Sequence, residues 1–487
     1  MEEVPGNAYV NRRKLLANSV TAASLAFARH GLAAAAYHSS GLQTVRISVD
    51  TRRGLSVIPA DFAGLGYEIS SVSIPGLLDA QNIKYVQLLR TLGSAGVIRI
   101  GGNTSDYSSF AAKGHAVSAP KGTVLNGANL RQLGTFLNAT GWKLIWGLNL
   151  GSGDEQQGVE ESRAVAAAVN DKLLAFEIGN EPDLFGRGAA HRSSDYNYGD
   201  YLKEFRRYKA VVRAKLPNAP FAGPDVASAT AWVTRFAADE GNDLKLLTHH
   251  YYRQCANASA TLDKLLHPDP KLAPKLKELR AASAASHVPY RICETNSFCG
   301  GGKPGVSDTF GAALWVLDFM FDLASAGCAG VNIETGVNQL GFVSSYSPIG
   351  ADEHGTYSAK PEYYGMLAFA QASRGQLVAV DCDAAGVNLT AHAVIHNGRR
   401  LSLTIINKDV SRDADVSITV TERLDHAEAL RLIGPSLQSK DAVTLAESAV
   451  TKDGQWKPKR LERLRSKSGQ CEIRVPAASA AILRWAP

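Results

Sequence analysis

Sulfur is scarce in this chain, with six cysteines and three methionines among 487 residues. Cysteine at that density cannot build a disulfide scaffold, and no pair has CxxC spacing. The closest two, Cys293 and Cys299, have no ligand set around them that matches a zinc site, so no metal is expected. Nor is a cofactor: neither a GxxxxGK[ST] phosphate loop nor an HExxH run occurs, and GGGKPG at 300–305 lacks the phosphate-loop spacing and its Ser or Thr. A large excess of one charge is also missing. Lys and Arg number 52 against 46 Asp and Glu, a formal +6 that is far weaker than in a dedicated nucleic-acid binder. With 45% hydrophobic and 20% charged residues the chain is an ordinary globular one, which excludes disordered and collagen-like classes.

What is present first is a leader. Residues 10–36 carry the pair Arg12-Arg13, a mostly apolar stretch and small residues before Tyr37, the pattern of a twin-arginine export signal. An amphipathic N-terminal helix is the plainer reading. Arg29 and His30 interrupt the apolar run, so no integral membrane contact is expected. Removal near Ala36 would leave a periplasmic or secreted protein. Export makes disulfides permissible, and Cys382 and Cys471, both near the C-terminus, are expected to be bridged.

At about 150 residues per domain the length allows two or three domains. Between residues 59 and 370, short apolar runs alternate with Ala/Leu-rich helical stretches, as in β/α units around a parallel sheet. Eight strand candidates occur, at 62–70, 96–104, 143–151, 173–182, 220–228, 246–252, 290–298 and 329–336, which predicts a (β/α)8 barrel. Nearly every one starts apolar and ends polar: Glu68, Asn103, Asn149, Glu181, Asp225, His249, Glu294 and Glu334. Polar residues can simply begin solvated loops, but in a barrel all eight ends share the face that carries catalytic groups. From residue 371 to 487 short alternating runs such as LSLTIIN and VSITV predict a β-sandwich, and the similar run at 42–58 is expected to complete it. The segment 456–468, with six Lys or Arg residues, reads as a solvated loop or a polyanion contact.

Glu181, in FEIGNEPD on the fourth strand, and Glu294, in ICETNSF on the seventh, are the strongest chemical signal. Two carboxylates facing one cleft can hydrolyse a glycoside, one donating a proton to the leaving oxygen while the other attacks the anomeric carbon. Asn180 precedes Glu181, where its amide can reach a sugar hydroxyl, and Pro182 is expected to hold Glu181 extended. His249 and Tyr251 share one side of the sixth strand and are expected to face the cleft, with Tyr251 aiming Glu294, while His250 and Tyr252 face away. Burial as a polar pair satisfied by backbone is the alternative.

The stretches IRIGGNTSDY, FEIGNEPD, THHYY and ETNSFCGGGKPGVSDTF, in this order, resemble the heparanase and β-glucuronidase family, glycoside hydrolase family 79 of the 4/7 barrel superfamily. The resemblance covers roughly residues 45–487. It implies a barrel with a β-sandwich, no metal or cofactor, Glu181 as acid/base and Glu294 as nucleophile of a retaining reaction, with Asn180 and Tyr251 beside them. It further implies that backbone amides of Gly300 and Gly301 bind the substrate carboxylate, for which glycine lets an anion come close. A plain turn is the alternative. Cys299 stands where the family commonly has a Tyr, and Tyr346 is a second candidate contact to the carboxylate. Glu68 and Asn103 complete the candidate binding set.

The expected activity is therefore cleavage of β-D-glucuronides in acidic glycans, heparan sulfate first among them, by a monomer without nucleic-acid partners. The loop from Asp106 to Asn129 has no bulky insertion and the net charge is basic, which favours endo cleavage over exo release of terminal glucuronate. An arabinofuranosidase or xylosidase on a related barrel, and a catalytically silent carbohydrate-binding protein, are the other readings. The glycines after Glu294 argue against the first and the two carboxylates against the second. Intact-mass spectrometry of the exported protein should find residues 1–36 removed. An unprocessed cytosolic chain would contradict the leader.

Overall fold

Eight short strands, Ala63–Glu68, Val97–Gly101, Lys143–Leu148, Leu173–Ile178, Ala222–Val226, Leu246–Tyr251, Tyr290–Thr295 and Val331–Glu334, lie side by side in one parallel sheet. The computed structural model describes residues 44–111, 122–152, 154–187, 191–336, 344–352, 354–396, 400–422 and 426–485. The expected leader and residues 112–121 of the loop after the second strand lie outside the described residues. In the sheet the first strand pairs with the second and the eighth, and the ladder runs on to the fourth and the fifth. These two ends meet at a bridge between Phe176 and Phe221, where the Phe176 N–H donates to the Pro220 carbonyl at 2.9 Å, so the sheet closes. Its strands are buried on both faces, as parallel strands between core and helices must be.

The barrel interior is layered. One apolar side chain from each of six strands, Val97, Ile145, Ala175, Ala222, Leu246 and Cys293, forms a small inner cluster. Two residues further along two of these strands, on the same side, stand Arg99 and Glu177. The alternation of the pleat thus turns a dry floor into a charged upper layer without any change of backbone direction.

A second sheet of ten strands includes Thr44–Ile58, which pairs antiparallel with Gly375–Asp383 and parallel with Ala414–Val420. Its inward residues, among them Val45, Ile47, Leu403, Ile418, Ile473 and Leu483, close around one core, giving the sandwich with its N-terminal strand. The other face packs Ile406, Leu430 and Ile482 into the barrel's core cluster. The helix Phe310–Ser325, pinned between barrel and sandwich, has to be apolar nearly all round, and the helix Pro361–Ala372 likewise.

The expected bridge between Cys382 and Cys471 does not form: both are unpaired, and the disulfide is Cys255–Cys299. The register explains why. Cys382 lies opposite Ile47, Ile47 opposite Ile418, and Ile418 opposite Cys471. Three ladder steps of about 4.8 Å keep the sulfurs roughly 14 Å apart, twice the reach of a disulfide.

One polar knot crosses from barrel to sandwich. Asp318 of Phe310–Ser325 accepts hydrogen bonds from Thr390 Oγ1 at 2.7 Å and His392 Nε2 at 2.9 Å, and pairs with the buried Lys408 ammonium. Burial alone would raise the Asp318 carboxyl, but Lys408 and His392 outweigh it and hold it well below the ordinary range. A depressed carboxyl stabilises the fold above about pH 4 and loses that contribution as pH falls through its folded value. Lys408→Met should cost about 3–5 kcal/mol in urea unfolding at neutral pH, with a smaller difference from wild type in acid.

Candidate active site

Arg99 sits in the middle of VIRIG, a strand otherwise made of apolar residues and glycine, and it is wholly buried. A guanidinium there must be satisfied on every side. Its Nε donates to Glu177 at 3.2 Å, Nη1 to Glu294 at 2.9 Å, and Nη2 to Asn180 at 2.8 Å and Asp225 at 2.5 Å. Space comes from Gly101, where an added Cβ would lie 2.6 Å from the guanidinium carbon. One side chain thus ties together the second, fourth, fifth and seventh strands.

Glu294 reaches this centre through an irregularity. Ile292 pairs with His249 but Glu294 pairs with His250, so the seventh strand carries one extra residue and re-aims its glutamate inward. Its Oε2 takes the Arg99 bond and its Oε1 accepts from the Tyr252 hydroxyl at 3.2 Å. Glu181 approaches from the opposite side with backbone φ 51° and ψ 50°, left-handed and not extended as Pro182 led us to expect. Its N–H donates to the Asp225 carbonyl at 2.9 Å, and Asp225 is itself left-handed at φ 56°. Strain of about 1–3 kcal/mol per such residue is held by this pairing of the two strand ends. A proline can bar the right-handed helix before it without enforcing a strand.

His250 joins the two carboxylates. Its Nδ1 lies 3.0 Å from Glu181 Oε1 and 3.7 Å from Glu294 Oε2, and its Nε2 lies 2.8 Å from Asp225 Oδ1. Burial works against the imidazolium, but the Asp225 and Glu294 carboxylates outweigh it and hold His250 well above the usual histidine range. Asp225, buried yet facing Arg99 and His250, is held well below its own. One oxygen each of Glu181 and Glu294, with a His250 nitrogen, lie within 4.8 Å of one another. That trio has the donor set of a metal site, but both ring nitrogens of His250 already lie in hydrogen bonds with Glu181 and Asp225.

Around this centre the other expected residues divide. Asn180 is in place, accepting from Arg99 while its N–H donates to Asp106. Asn103 stands beside it, its Oδ1 3.5 Å from Asn180 Nδ2, and its N–H donates to Glu68. Burial and the Glu294 charge push Glu68 up to about 7, against the hydrogen bonds from Thr104. Tyr346 is buried and stacks on Tyr252, ring centres 6.5 Å apart. Gly300 and Gly301 have φ of 77° and 82°, and the Gly301 carbonyl accepts from Ser345 at 2.6 Å, joining the loops after strands seven and eight. Cys299 staples this loop to the one after strand six through Cys255.

His249 and Tyr251 are not in the cleft. They do share a side, but it is the outer one: Tyr251 donates to Asp269 at 2.5 Å and stacks on Phe319, and burial depresses His249 to about 3. His250 and Tyr252 face inward instead. In a strand covered on both faces the alternation carries no polar-out signal, so the pairing of sides was readable but not which pair points in. Arg99, Asp225's role as charge holder, His250 and Tyr252 were therefore missed, although an arginine within VIRIG was itself a signal.

A closed β/α barrel joined to a β-sandwich, with two carboxylates across one mouth, defines a glycoside hydrolase. Comparison with known proteins makes the class more particular. Residues 391–482 match the family model described as the glycosyl hydrolase family 79 C-terminal beta domain. The chain is 27% identical to a β-glucuronidase of Aspergillus niger over 87% of its own length and 88% of that protein, and 27% identical to bovine heparanase over 50% and 45%. A 4-O-alpha-L-rhamnosyl-beta-D-glucuronidase from Fusarium oxysporum 12S has the same fold, with TM-score 0.75, 20% identity, and coverage of 90% of this chain and 99% of that one. Residues 391–482 thus carry the C-terminal beta domain of glycoside hydrolase family 79, and the chain is a homologue of β-glucuronidases and heparanases.

Tyr252→Phe removes one hydrogen bond to a catalytic-cleft carboxylate, worth about 1.5–3 kcal/mol, and should lower glycosidase kcat/KM by roughly 10- to 100-fold. Tyr251→Phe should leave kcat/KM within about twofold and show only in the melting temperature. Equal losses of activity for the two variants would mean that the inward side of the sixth strand is misassigned.

Proposed function

We propose that this protein hydrolyses β-D-glucuronides with retention of configuration, Glu294 acting as nucleophile and Glu181 as general acid and base. The observation that carries this is the closeness of the two carboxylates, oxygens within 4.8 Å. Retaining sites hold their carboxyl groups about 5–5.5 Å apart and inverting sites about 6.5–9.5 Å, the extra room being for a water. Glu294, fixed on one oxygen by Arg99 and on the other by Tyr252, attacks the anomeric carbon while Glu181 gives a proton to the leaving oxygen. Water then enters, Glu181 takes its proton, and the glycosyl-enzyme bond to Glu294 breaks.

Recognition of the glucuronate carboxylate falls to the backbone amides of Gly300 and Gly301, whose positive φ suits glycine, with Tyr346 packed beside the adjoining Gly302. Asn180, held by Arg99, is placed for the 2-hydroxyl. Endo cleavage of heparan sulfate remains the reading of the sequence. The much longer match to a β-glucuronidase than to a heparanase supports release of terminal glucuronate as the second reading.

Glu294→Gln should abolish turnover of any glucuronide. Glu181→Gln should lose far more activity on glycans, whose poor leaving group needs the proton, than on an aryl glucuronide that leaves unaided. Proton NMR of early product should show the β-anomer first; early α-anomer would exclude retention. With heparan sulfate, a ladder of oligosaccharides supports endo cleavage, and glucuronate alone excludes it.

A further inference from the structure

The sandwich face that packs on the barrel changes character along its strands. Ile406, Ile482 and Leu430 belong to the barrel's core cluster. Following the same side along each strand leads from Ile406 to Ser402 and Arg400, from Ile482 to Arg484, and from Leu430 to Glu428 and His426. Cross-strand register keeps these together, with Ser402 opposite Arg484, Glu428 opposite Arg484, and His396 opposite Arg400. The helix Pro361–Ala372 ends here, adding Gln371 and then Arg374, and the whole encloses a cavity of about 750 Å³.

The positive charge in this cavity is largely uncommitted. Arg484 donates to the Gln371 carbonyl and side chain, but neither Arg374 nor Arg400 has a carboxylate within ion-pair distance among the described residues. Glu428 is the one acid in the lining. The basic run of 456–468 joins the same surface: its strand Glu462–Arg465 places Arg463 opposite Glu428 and Arg465 opposite His426. From the strand of Arg465 to that of His396 is four ladder steps, about 19 Å, a track long enough for an oligosaccharide. Arginine offers oxyanions a planar fork of donors that lysine lacks.

We infer that this cavity and track bind a sulfated segment of an acidic glycan, at a site separate from the catalytic cleft. Pro361–Ala372 follows the eighth strand and runs back along it for 12 residues, about 18 Å, so the cavity lies at the end of the barrel opposite the active site. It grips a polymer without touching the bond being cut, and it stands independently of the glucuronidase reading.

The test uses sulfated maltohexaose, which contains no uronate, against the full-length protein in isothermal titration, with unsulfated maltohexaose and inorganic sulfate alongside. The sulfated sugar should bind, and Arg374→Gln with Arg400→Gln should weaken it roughly tenfold or more, leaving kcat/KM on an aryl glucuronide unchanged. Arg463→Gln with Arg465→Gln, on the exposed strand, should weaken it less. Unchanged affinity in both double variants, equal binding of the unsulfated sugar, or binding of inorganic sulfate alone would overturn the inference. Loss of glucuronidase activity in every preparation would count against the proposed function and leave this binding result standing.

Discussion

A single buried guanidinium holds the catalytic end of this barrel together. Arg99 reaches side chains on the fourth, fifth and seventh strands, and each of those contacts fixes something the chemistry needs. Through Glu294 it fixes one carboxylate oxygen of the cleft; through Asn180 it fixes the amide beside Glu181. Through Asp225 it fixes the acid that holds His250 between the two carboxylates. Hydrophobic packing could close such a barrel but could not orient these groups, because apolar contact is non-directional. The cost of burying the ion is accepted for that geometry, and small inward residues such as Gly101 leave the room it occupies.

The sequence made the scaffold plain and the inward direction obscure. Eight runs beginning apolar and ending polar became the eight strands, because a barrel strand has to be dry along its body and wet at its mouth. Glu181 and Glu294 were readable for the same reason, as acids at strand ends. His250 and Tyr252 were not, since inner and outer neighbours of a parallel strand are equally buried and differ only in what they meet across space. The pairing of Cys255 with Cys299 was hidden similarly: a shared place near the C-terminus suggested Cys382 and Cys471, and only the adjacency of the sixth and seventh strands brings the loops of Cys255 and Cys299 together.

Local rules also gave way where neighbouring strand ends meet. Glu181 and Asp225 both adopt a left-handed backbone that β-carbon sterics disfavour, and they do so joined by a backbone hydrogen bond. Glutamate does not announce that conformation, though aspartate enters it more readily than most residues. It follows from the need to leave the fourth and fifth strands and turn two carboxylates toward one imidazole, a demand set by the closed sheet.

The charge inventory of the mouth imposes a last constraint. Two buried cations, Arg99 and His250, face Glu177, Asp225 and Glu294, with Glu181, Glu68 and Glu334 close by, so the acids outnumber the bases. Buried like charges cannot all persist, and protons must be retained somewhere. Burial and the Asp225 charge push Glu177 up to about 7, burial and Glu294 do the same for Glu68, and Glu334 is raised further by burial with Glu294 and Glu68. Asp225, nearest both cations, moves the other way. The upward shifts thus fall on the acids around the central pair, and the downward one on the acid that meets both cations. Removing either Glu68 or Glu334 would change the field on the central pair, which makes both part of the electrostatic setting of Glu181 and Glu294.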